Sequence, residues 1–458
     1  MSSSLPSSPD DRTGPDRSQL RLAVVSSFLG SAIEYYDFLL YAVMSGLVFG
    51  ALFFSGLDPV AGTIASFGTL AFGYFARPLG GVLFGHFGDR IGRKKMLLLS
   101  LVLMSCASIL IGCLPTSQQI GGFAAVALVL LRLVQGIALG GEWGGSVLIT
   151  GEHAGRGRNI WTSFTSAGAP AGSLLASGAI ALTGALMTPE QFLAWGWRIP
   201  FLASAVLLAV GLLVRYRLQE SPVFTQAVEA DGGRHRFPIG TVLAHHWRPV
   251  LAAVGFTLGH FVLATAVNAF VVAFGATIGL DRQMLVGAVA ASGAISLLMY
   301  IVWGAVSDRI GRRVMLTIGN VAILPWGFAL FLAFDTRSFG WILAALVFAN
   351  VFSIGIISAT STAVVPELFP TEVRYSGASL AFQLSSALGG LAPLIFTSIL
   401  SATGGDTLPI AFIIAGFGIL GIASVFAIRE TAHVSLDHRL GDPKNAALNT
   451  ATQAARVN

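Results

Sequence analysis

Charge is scarce in this chain of 458 residues. Charged residues make up 11% of the sequence and the hydrophobic set makes up 54%, whereas a typical soluble domain carries about 25% charged residues. The mean hydropathy is +0.77. A water-soluble fold is therefore excluded for most of the chain, which we expect to lie in a lipid bilayer.

Cysteine is nearly absent, with only Cys106 and Cys113 in the whole sequence. They stand seven residues apart in one apolar run, which is about 10 Å along a helix, beyond the roughly 7 Å that a disulfide spans. We therefore expect two packing residues and no disulfide framework.

The motifs of common enzyme sites are also missing. There is no Gly-x-x-x-x-Gly-Lys-Ser/Thr loop for nucleotide phosphates and no His-Glu-x-x-His zinc motif. No basic patch interleaved with aromatic residues indicates nucleic-acid binding. We expect no enzyme, no cofactor and no metal, so energy must come from a gradient such as that of protons. A membrane receptor is disfavoured because the sequence has no sizeable sensor domain.

Long apolar runs fill the rest of the chain. A membrane helix needs about 20 predominantly apolar residues, and twelve such windows occur, so the sequence predicts an all-α membrane protein with twelve transmembrane helices. The predicted spans are residues 22–46, 60–84, 96–114, 121–148, 159–183, 199–217, 249–276, 284–305, 314–334, 340–364, 376–400 and 409–428.

Basic residues fix the predicted orientation. An even number of spans puts both termini on one side, and 22 of the 27 Lys and Arg residues fall on that side. Arg198, Arg282 and Arg337 fall on the other side, and Arg77 and Arg132 lie within spans. The positive-inside rule then predicts a multi-pass protein of the cell (inner) membrane with both termini in the cytoplasm.

A polar segment divides the spans six and six. We expect a disordered cytoplasmic tail at 1–20, an N-terminal six-helix bundle at 21–217, a cytoplasmic linker at 218–248, a C-terminal six-helix bundle at 249–429 and a second cytoplasmic tail at 430–458. Because each chain would contain both halves of a central cavity, we expect a monomer.

One phrase occurs twice, each time between two long apolar runs. Gly85-His-Phe-Gly-Asp-Arg-Ile-Gly-Arg-Lys-Lys-Met-Leu97 returns as Gly304-Ala-Val-Ser-Asp-Arg-Ile-Gly-Arg-Arg-Val-Met-Leu316. Two related bundles are typical of secondary transporters, in which they rock about a shared central site. The repeat thus predicts two pseudo-symmetric six-helix bundles and a transport function.

Five charged residues lie in the interior of the predicted spans, away from the span ends, all in the N-terminal half: Glu34, Asp37, Arg77, Arg132 and Glu142. Each is costly in lipid unless it is paired or faces a wet cavity. Three negative charges face two positive ones, so one carboxylate lacks a cation. A carboxyl group buried without a cation is able to take up and release a proton near neutral pH.

Glu34 and Asp37 share one face of the first helix, with Tyr41 one turn further on. Three alternatives remain open: one of the two carboxylates carries a coupling proton, both form permanent ion pairs with Arg77 or Arg132, or neither holds. Arg132 can alternatively hold a substrate carboxylate, for which the guanidinium fork is well shaped.

Polar interior residues are fewer in the C-terminal half. His260 and Asn268 are eight residues apart, roughly on one helical face, where they can line a cavity. The predicted substrate-binding residues are Arg132, Gln135, Tyr41, Arg77, His260 and Asn268.

The repeated phrase Gly-x-x-x-Asp-Arg-Ile-Gly-Arg resembles the loop signature of the major facilitator superfamily. Several further phrases resemble its metabolite:proton symporter family: Glu34-Tyr-Tyr-Asp-Phe38, Phe75-Ala-Arg-Pro-Leu-Gly-Gly81, Arg132-Leu-Val-Gln-Gly136, Gly140-Gly-Glu-Trp-Gly-Gly145 and Trp195-Gly-Trp-Arg-Ile-Pro-Phe201. The resemblance implies a cytoplasmic gate formed by Asp89, Arg93, Glu142, Glu152, Asp308, Arg312, Glu367 and Arg374. As exposed pairs these would contribute only about 0 to 1 kcal/mol each.

That family imports small carboxylates and zwitterions with protons, and the first half is most similar to its shikimate-type members. We therefore expect proton-coupled symport of a small organic acid, such as shikimate or a dicarboxylate, by alternating access. The alternatives are a proton-driven exporter of drugs or metabolites and an importer of zwitterionic osmolytes such as proline or betaine. The expected partners are the organic anion or zwitterion, protons and the lipid bilayer.

Overall fold

The computed structural model describes residues 17–154, 157–221, 223–225 and 238–432, and its regular elements in this part of the chain are helices. The twelve long helices are α1 Arg17–Phe53, α2 Pro59–Ile91, α3 Arg93–Cys113, α4 Phe123–Ala154, α5 Arg158–Leu186, α6 Arg198–Arg217, α7 Trp247–Thr277, α8 Arg282–Ile310, α9 Arg312–Asp335, α10 Phe339–Glu367, α11 Thr371–Ala402 and α12 Leu408–Phe426. Short helices connect some of them, at Ser117–Ile120, Pro189–Gln191 and Pro238–His245.

The composition of these helices suits a bilayer. Eleven of them are long and apolar enough to cross a membrane among the residues described, and α2, with 33 residues, is the twelfth. Leu130, Leu182 and Leu213 are 56%, 63% and 66% exposed, as expected where lipid rather than water surrounds the protein. The predicted all-α fold with twelve membrane helices is confirmed.

Parts of the predicted tails and linker lie outside the described residues, namely 1–16, 226–237 and 433–458. Within the described part, residues 17–20, which we expected in the first tail, form the first turn of α1. Pro238–His245, which we expected in the linker, is a helix because it buries Ile239 and Val242 on one side.

Glycine allows α2 and α4 to pack closely. A Cβ atom on Gly140 of α4 would lie 2.6 Å from the backbone nitrogen of Gly81 in α2. Small residues at such contacts let two helix backbones approach each other in a membrane. This contact fixes the position of α2, and with it the polar side chains that α2 and α4 direct into the N-terminal half.

The repeated phrase forms the same turn twice, between α2 and α3 and between α8 and α9. Gly92 has a φ of 112° and Gly311 has a φ of 102°, a region that residues with a Cβ atom rarely occupy. Both turns lie at the end of the molecule where α1 begins and α12 ends, which we call the termini end. Leu20 of α1 packs there with Ala154 of α4.

The two halves meet along α2 and α4 against α11, and along α5 against α8 and α10. Trp143 of α4 stacks on Phe382 of α11, with ring centroids 3.5 Å apart and an interplanar angle of 3°. Gln383 of α11 donates to the Leu139 carbonyl of α4 at 3.3 Å. Polar and aromatic contacts therefore join the halves below the apolar surface.

Candidate substrate, proton and gate sites

Asp37 of α1 is a completely buried carboxylate. Ser204 of α6 donates its hydroxyl to Asp37 Oδ1 at 2.7 Å, and Ser108 of α3 is the other hydroxyl that acts on this side chain. Asp37 Oδ2 has no hydrogen-bond partner within the described residues. One oxygen of Asp37 is thus held by the protein while the other is left to accept a proton.

Glu34 lies one turn before Asp37 and is 6% exposed. Arg77 is the cation that acts on Glu34 most strongly. In the described part of the chain, no ion pair within 4.0 Å involves either carboxylate. In this conformation, therefore, neither forms the ion pair with Arg77 or Arg132 that the sequence left open.

Arg132 of α4 is completely buried among aromatic rings. Its Cζ lies 4.4 Å from the ring centroid of Tyr41 and 4.9 Å from that of Phe38, a cation–π arrangement that stabilises a desolvated guanidinium. Gly73 of α2 makes room for it, because a Cβ there would lie 2.6 Å from Arg132 Nε. Nη1 donates to Gln135 Oε1 at 3.1 Å.

The remaining edge of the Arg132 guanidinium is not used. Nε and Nη2 have no hydrogen-bond partner among the residues that the structure describes. These two groups are the parallel donors that bind a carboxylate in bidentate fashion. The geometry therefore offers a buried fork with the shape of a carboxylate site.

Arg77 of α2 also lies over the Phe38 ring. Its Cζ is 5.0 Å from the Phe38 ring centroid and 4.9 Å from that of Tyr74. Its Nη1 donates to Ser386 Oγ of α11 at 2.8 Å, which joins the two halves. The two interior arginines thus share one aromatic ring, and Arg77 also forms a hydrogen bond to the C-terminal half.

The other two predicted substrate-binding residues of the N-terminal half, Tyr41 and Gln135, both contact Arg132. The Tyr41 hydroxyl lies 2.6 Å from Thr69 Oγ1, so Tyr41 presents its ring face to the guanidinium rather than its hydroxyl to a cavity. Gln135 accepts from Arg132 and donates through Nε2 to Ser108 Oγ at 2.7 Å. Both side chains are buried.

In the C-terminal half, the two predicted residues of α7 differ in exposure. His260 is 7% exposed, whereas Asn268 is exposed and donates to the Ala264 carbonyl at 2.7 Å. Asn268 lies within the π-helical segment Ala266–Phe270. The turn of a π-helix is wider than that of an α-helix, so the spacing of eight residues does not have the angular meaning that it has in a regular helix.

A second site lies at the termini end, where Asp89 of α2 bridges the halves. It accepts the backbone N–H groups of Tyr375 at 3.1 Å and Ser376 at 2.8 Å. These residues lie in the first α-helical turn of α11, which begins at Arg374 after the 3-10 turn Thr371–Val373. Glu152 lies 3.3 Å from Arg93 and 3.4 Å from Arg374. A carboxylate of one half therefore caps a helix of the other.

The second copy of the repeated phrase forms the equivalent arrangement in the C-terminal half. Asp308 of α8 accepts the backbone N–H groups of Asn159 and Ile160, in the first turn of α5, at 3.3 and 3.0 Å. Arg312 lies 2.9 Å from Asp308 and 3.6 Å from Glu367. Arg158 of α5 lies 3.1 Å from Glu367. Each half thus caps one helix of its partner half.

We define the termini-end clusters as these two sets: Asp89, Arg93, Glu152 and Arg374, and Asp308, Arg312, Glu367 and Arg158. The side chains of Arg93, Glu152 and Arg374 are 0% exposed. The expectation of exposed, weak pairs is therefore wrong. A buried pair is costly to break, because the charge left behind is uncompensated.

Glu142 does not belong to either cluster. It pairs with Arg215 of α6 and accepts hydrogen bonds from Ser100 of α3 and Ser146 of α4. All these groups lie in the N-terminal half. The predicted place of Glu142 in the gate thus needs correction, because its cation, Arg215, belongs to the same half. From the sequence, Arg215 was counted only among the positive charges that set the membrane orientation.

Two further carboxylates have a structural role that the sequence analysis did not predict. Glu220 accepts the backbone N–H groups of Arg93 and Lys94 at 3.1 Å, and Glu430 accepts those of Arg312 and Arg313 at 3.0 Å. They cap the equivalent helices α3 and α9. The signal was present in the sequence, since each Glu follows the last helix of its half.

The family model for the Major Facilitator Superfamily matches residues 27–394. The chain is 36% identical over 422 residues to the shikimate transporter of Escherichia coli K12, covering 91% of this chain and 96% of that protein. It is 38% identical over 426 residues to the inner membrane metabolite transport protein YhjE of the same organism, covering 90% and 95%.

A solved structure shows the same fold. The proton:xylose symporter XylE, bound to 6-bromo-6-deoxy-D-glucose, superposes with a TM-score of 0.74 and 18% sequence identity, covering 92% of this chain and 98% of that one. The chain therefore belongs to the major facilitator superfamily, and it is a membrane transporter rather than an enzyme.

Proposed function

We propose that this protein is a proton-coupled importer of a small organic anion. The observation that carries the proposal is the Arg132 guanidinium, which is completely buried with Nε and Nη2 unpartnered among the described residues. Leaving a buried donor unsatisfied costs about 1–3 kcal/mol, and more when the group is charged. A substrate carboxylate on this edge would remove that cost.

Asp37 supplies the proposed proton site. It is buried and held by Ser204, with Oδ2 unpartnered in the described part of the chain. Arg132 acts on it without forming an ion pair. A proton on Asp37 and an anion on Arg132 would enter together as a neutral pair, which lowers the cost of moving charge through the membrane.

Arg77 and Glu34 form the second layer of the proposed site. Arg77 places a second positive charge beside the same Phe38 ring and reaches Ser386 of the C-terminal half. A substrate bound between the arginines would therefore be sensed by both halves. Alternating access would follow when the termini-end clusters break and the opposite end closes.

Similarity to the shikimate transporter makes shikimate the first substrate to test. We further propose that the protein works as a monomer in the inner membrane, with the termini end facing the cytoplasm. The positive-inside bias of the sequence supports this orientation.

The test is uptake of labelled shikimate, a panel of small carboxylates, proline and betaine into cells expressing the protein, at pH 5.5 and 7.5, with and without a protonophore. We expect acid-stimulated uptake of an anion that the protonophore abolishes, and no such uptake with Arg132→Gln. Uptake that is indifferent to the proton gradient would refute coupling. Preferential uptake of zwitterions, or accumulation in inverted vesicles, would replace the proposed substrate class or direction.

A further inference from the structure

Arg132 and Asp37 are connected by more than proximity. Arg132 Nη1 donates to Gln135 Oε1 at 3.1 Å, and Gln135 Nε2 donates to Ser108 Oγ at 2.7 Å. All four side chains are completely buried. Two polar residues, from α4 and α3, thus extend from the proposed anion site towards the proposed proton site.

The donors in this series all point the same way. Arginine has no acceptor, so Gln135 must present its carbonyl to Arg132 and its amide to Ser108. Ser108 then accepts from Gln135 and keeps its own proton to donate. In the described part of the chain, the Ser108 hydroxyl donates no hydrogen bond within 3.5 Å and Asp37 Oδ2 accepts none, yet Ser108 is close enough to act on the Asp37 carboxylate. The remaining proton is therefore available to the carboxylate.

We propose that Gln135 and Ser108 are positioning residues that couple the protonation of Asp37 to anion binding at Arg132. The inference rests on the proposed function and extends it from two sites to the connection between them. Neither residue needs to touch the substrate or carry the transported proton.

The sign of the coupling follows from electrostatics. When Asp37 is ionised, the Ser108 hydroxyl would turn its free proton towards Oδ2, and the hydrogen bonds from Arg132 through Gln135 to Ser108 would be polarised towards this anion, so part of the Arg132 charge would be compensated. When Asp37 is protonated, that anion is lost, and Arg132 attracts a substrate carboxylate more strongly. Coupling is reciprocal, so a bound anion also favours protonation of Asp37. This sign is the one that symport requires.

Other ionisable groups lie near the hydrogen bonds that join Arg132, Gln135 and Ser108, but they do not provide the connection to Asp37. The helix α5, although packed along α1, has no ionisable residue between Ile160 and Leu186, and α3 and α6 present to Asp37 the hydroxyls Ser108 and Ser204. The charged or titratable groups acting on Asp37 or Arg132 are Tyr36, Tyr41, Tyr74 and Arg77, besides these two residues themselves.

The first test measures binding of labelled shikimate to the purified protein at pH 5.5 and 7.5. We expect the wild type to bind about tenfold more tightly at the lower pH, within the usual range for coupled sites. Ser108→Ala should still bind at pH 5.5, but with a ratio of about threefold or less, because the connection is broken. Ser105→Ala, a buried serine one turn away on α3, is the matched control and should keep the wild-type ratio.

A second test needs no substrate. Infrared spectroscopy would follow the protonated carboxyl band of Asp37, assigned by its loss in Asp37→Asn, as the pH is changed. In Gln135→Met the band should persist to higher pH than in the wild type, because Ser108 loses the donor that polarises its hydroxyl. Gln135 does not donate to Asp37, so a purely local structural role would leave this titration unchanged.

Each outcome decides the matter. An unchanged pH ratio in Ser108→Ala, an equal loss in Ser105→Ala, or an unchanged Asp37 titration in Gln135→Met would overturn the coupling. If the wild type binds no anion from the panel at either pH, the proposed function fails, and the infrared titration alone then judges the connection between Arg132 and Asp37.

Discussion

At the scale of single residues, the unusual feature is a buried arginine that forms no ion pair with any residue the structure describes. Arg132 is stabilised by the Phe38 and Tyr41 rings and by one hydrogen bond to Gln135. Cation–π contacts contribute about 2 kcal/mol or more when desolvated, which is less than a bidentate carboxylate would add. This state of the Arg132 charge is the one that the proposed anion site requires.

Replacing Arg132 with lysine tests the fork. Lysine keeps the charge but has no parallel pair of donors, so we expect the half-saturating substrate concentration to rise about 10- to 100-fold, equivalent to about 1.4–2.8 kcal/mol. Concentration-dependent uptake measures this change. Arg198→Lys, on α6 and bonded to the Gly112 and Leu114 carbonyls, is the control and should retain wild-type affinity. Equal loss in both variants would refute a specific role for Arg132.

The sequence located the charged residues of this site, and Gln135 and Tyr41 beside Arg132, but not the serine that holds Asp37. Asp37 and Arg132 could be predicted because a charge in a membrane helix is costly and needs a reason. Ser204 could not, since it lies 167 residues from Asp37 and resembles many other serines in apolar runs. Only packing of α6 against α1 identifies it.

At the scale of secondary-structure elements, the N-terminal half is held together by an internal ion pair. Glu142 and Arg215 connect α4 to α6, and Ser100 brings in α3. The sequence missed this pair because Arg215 stands near the end of a span, where a positive charge normally indicates topology alone.

Glu142→Gln should therefore destabilise the protein without involving the gate. It leaves Arg215 buried and uncompensated, a change that costs about 3–5 kcal/mol. Thermal unfolding of the detergent-solubilised protein measures the loss. Glu142→Gln combined with Arg215→Met removes both charges and should recover part of the stability. A single variant as stable as the wild type would show that the pair contributes nothing.

The exchanged helix caps predict how the termini end responds to mutation. Asp89→Asn weakens the cap on α11 and leaves Arg93 with fewer negative neighbours, so we expect the halves to separate at this end. Spin labels at Lys95→Cys and Val314→Cys, equivalent positions in the two repeats, would report a longer distance population in a background with Cys106→Ser and Cys113→Ser. Asp58→Asn, in an exposed loop, is the control. An unchanged distance distribution in Asp89→Asn would show that Asp89 does not hold the two halves together at the termini end.

At the scale of the whole molecule, the two halves have equivalent turns, helix caps and ion-pair clusters but differ in their interior charged residues. The turns at Gly92 and Gly311, the capping carboxylates Glu220 and Glu430, and the termini-end clusters are repeated. The interior charges are not repeated, because all five lie in the N-terminal half. The C-terminal half contributes Ser386 to Arg77 and the aromatic contacts of α11.

This division explains what the sequence could and could not predict. The fold followed from twelve apolar runs and one repeated phrase, which are local signals. The cavity-lining role expected for His260 and Asn268 relied on a regular helix, and the π-helical segment Ala266–Phe270 breaks that regularity. Such a segment depends on the packing of neighbouring helices, so spacing along the sequence does not show it.

The most direct test of the account separates transport from coupling in Asp37→Asn. Purified protein in liposomes would be assayed for exchange of labelled for unlabelled shikimate without a gradient, and for accumulation of shikimate driven by an inward proton gradient. The account predicts that Asp37→Asn exchanges substrate but no longer accumulates it, whereas the wild type does both. Gradient-driven accumulation by Asp37→Asn at the wild-type level would contradict the assignment of the proton to Asp37.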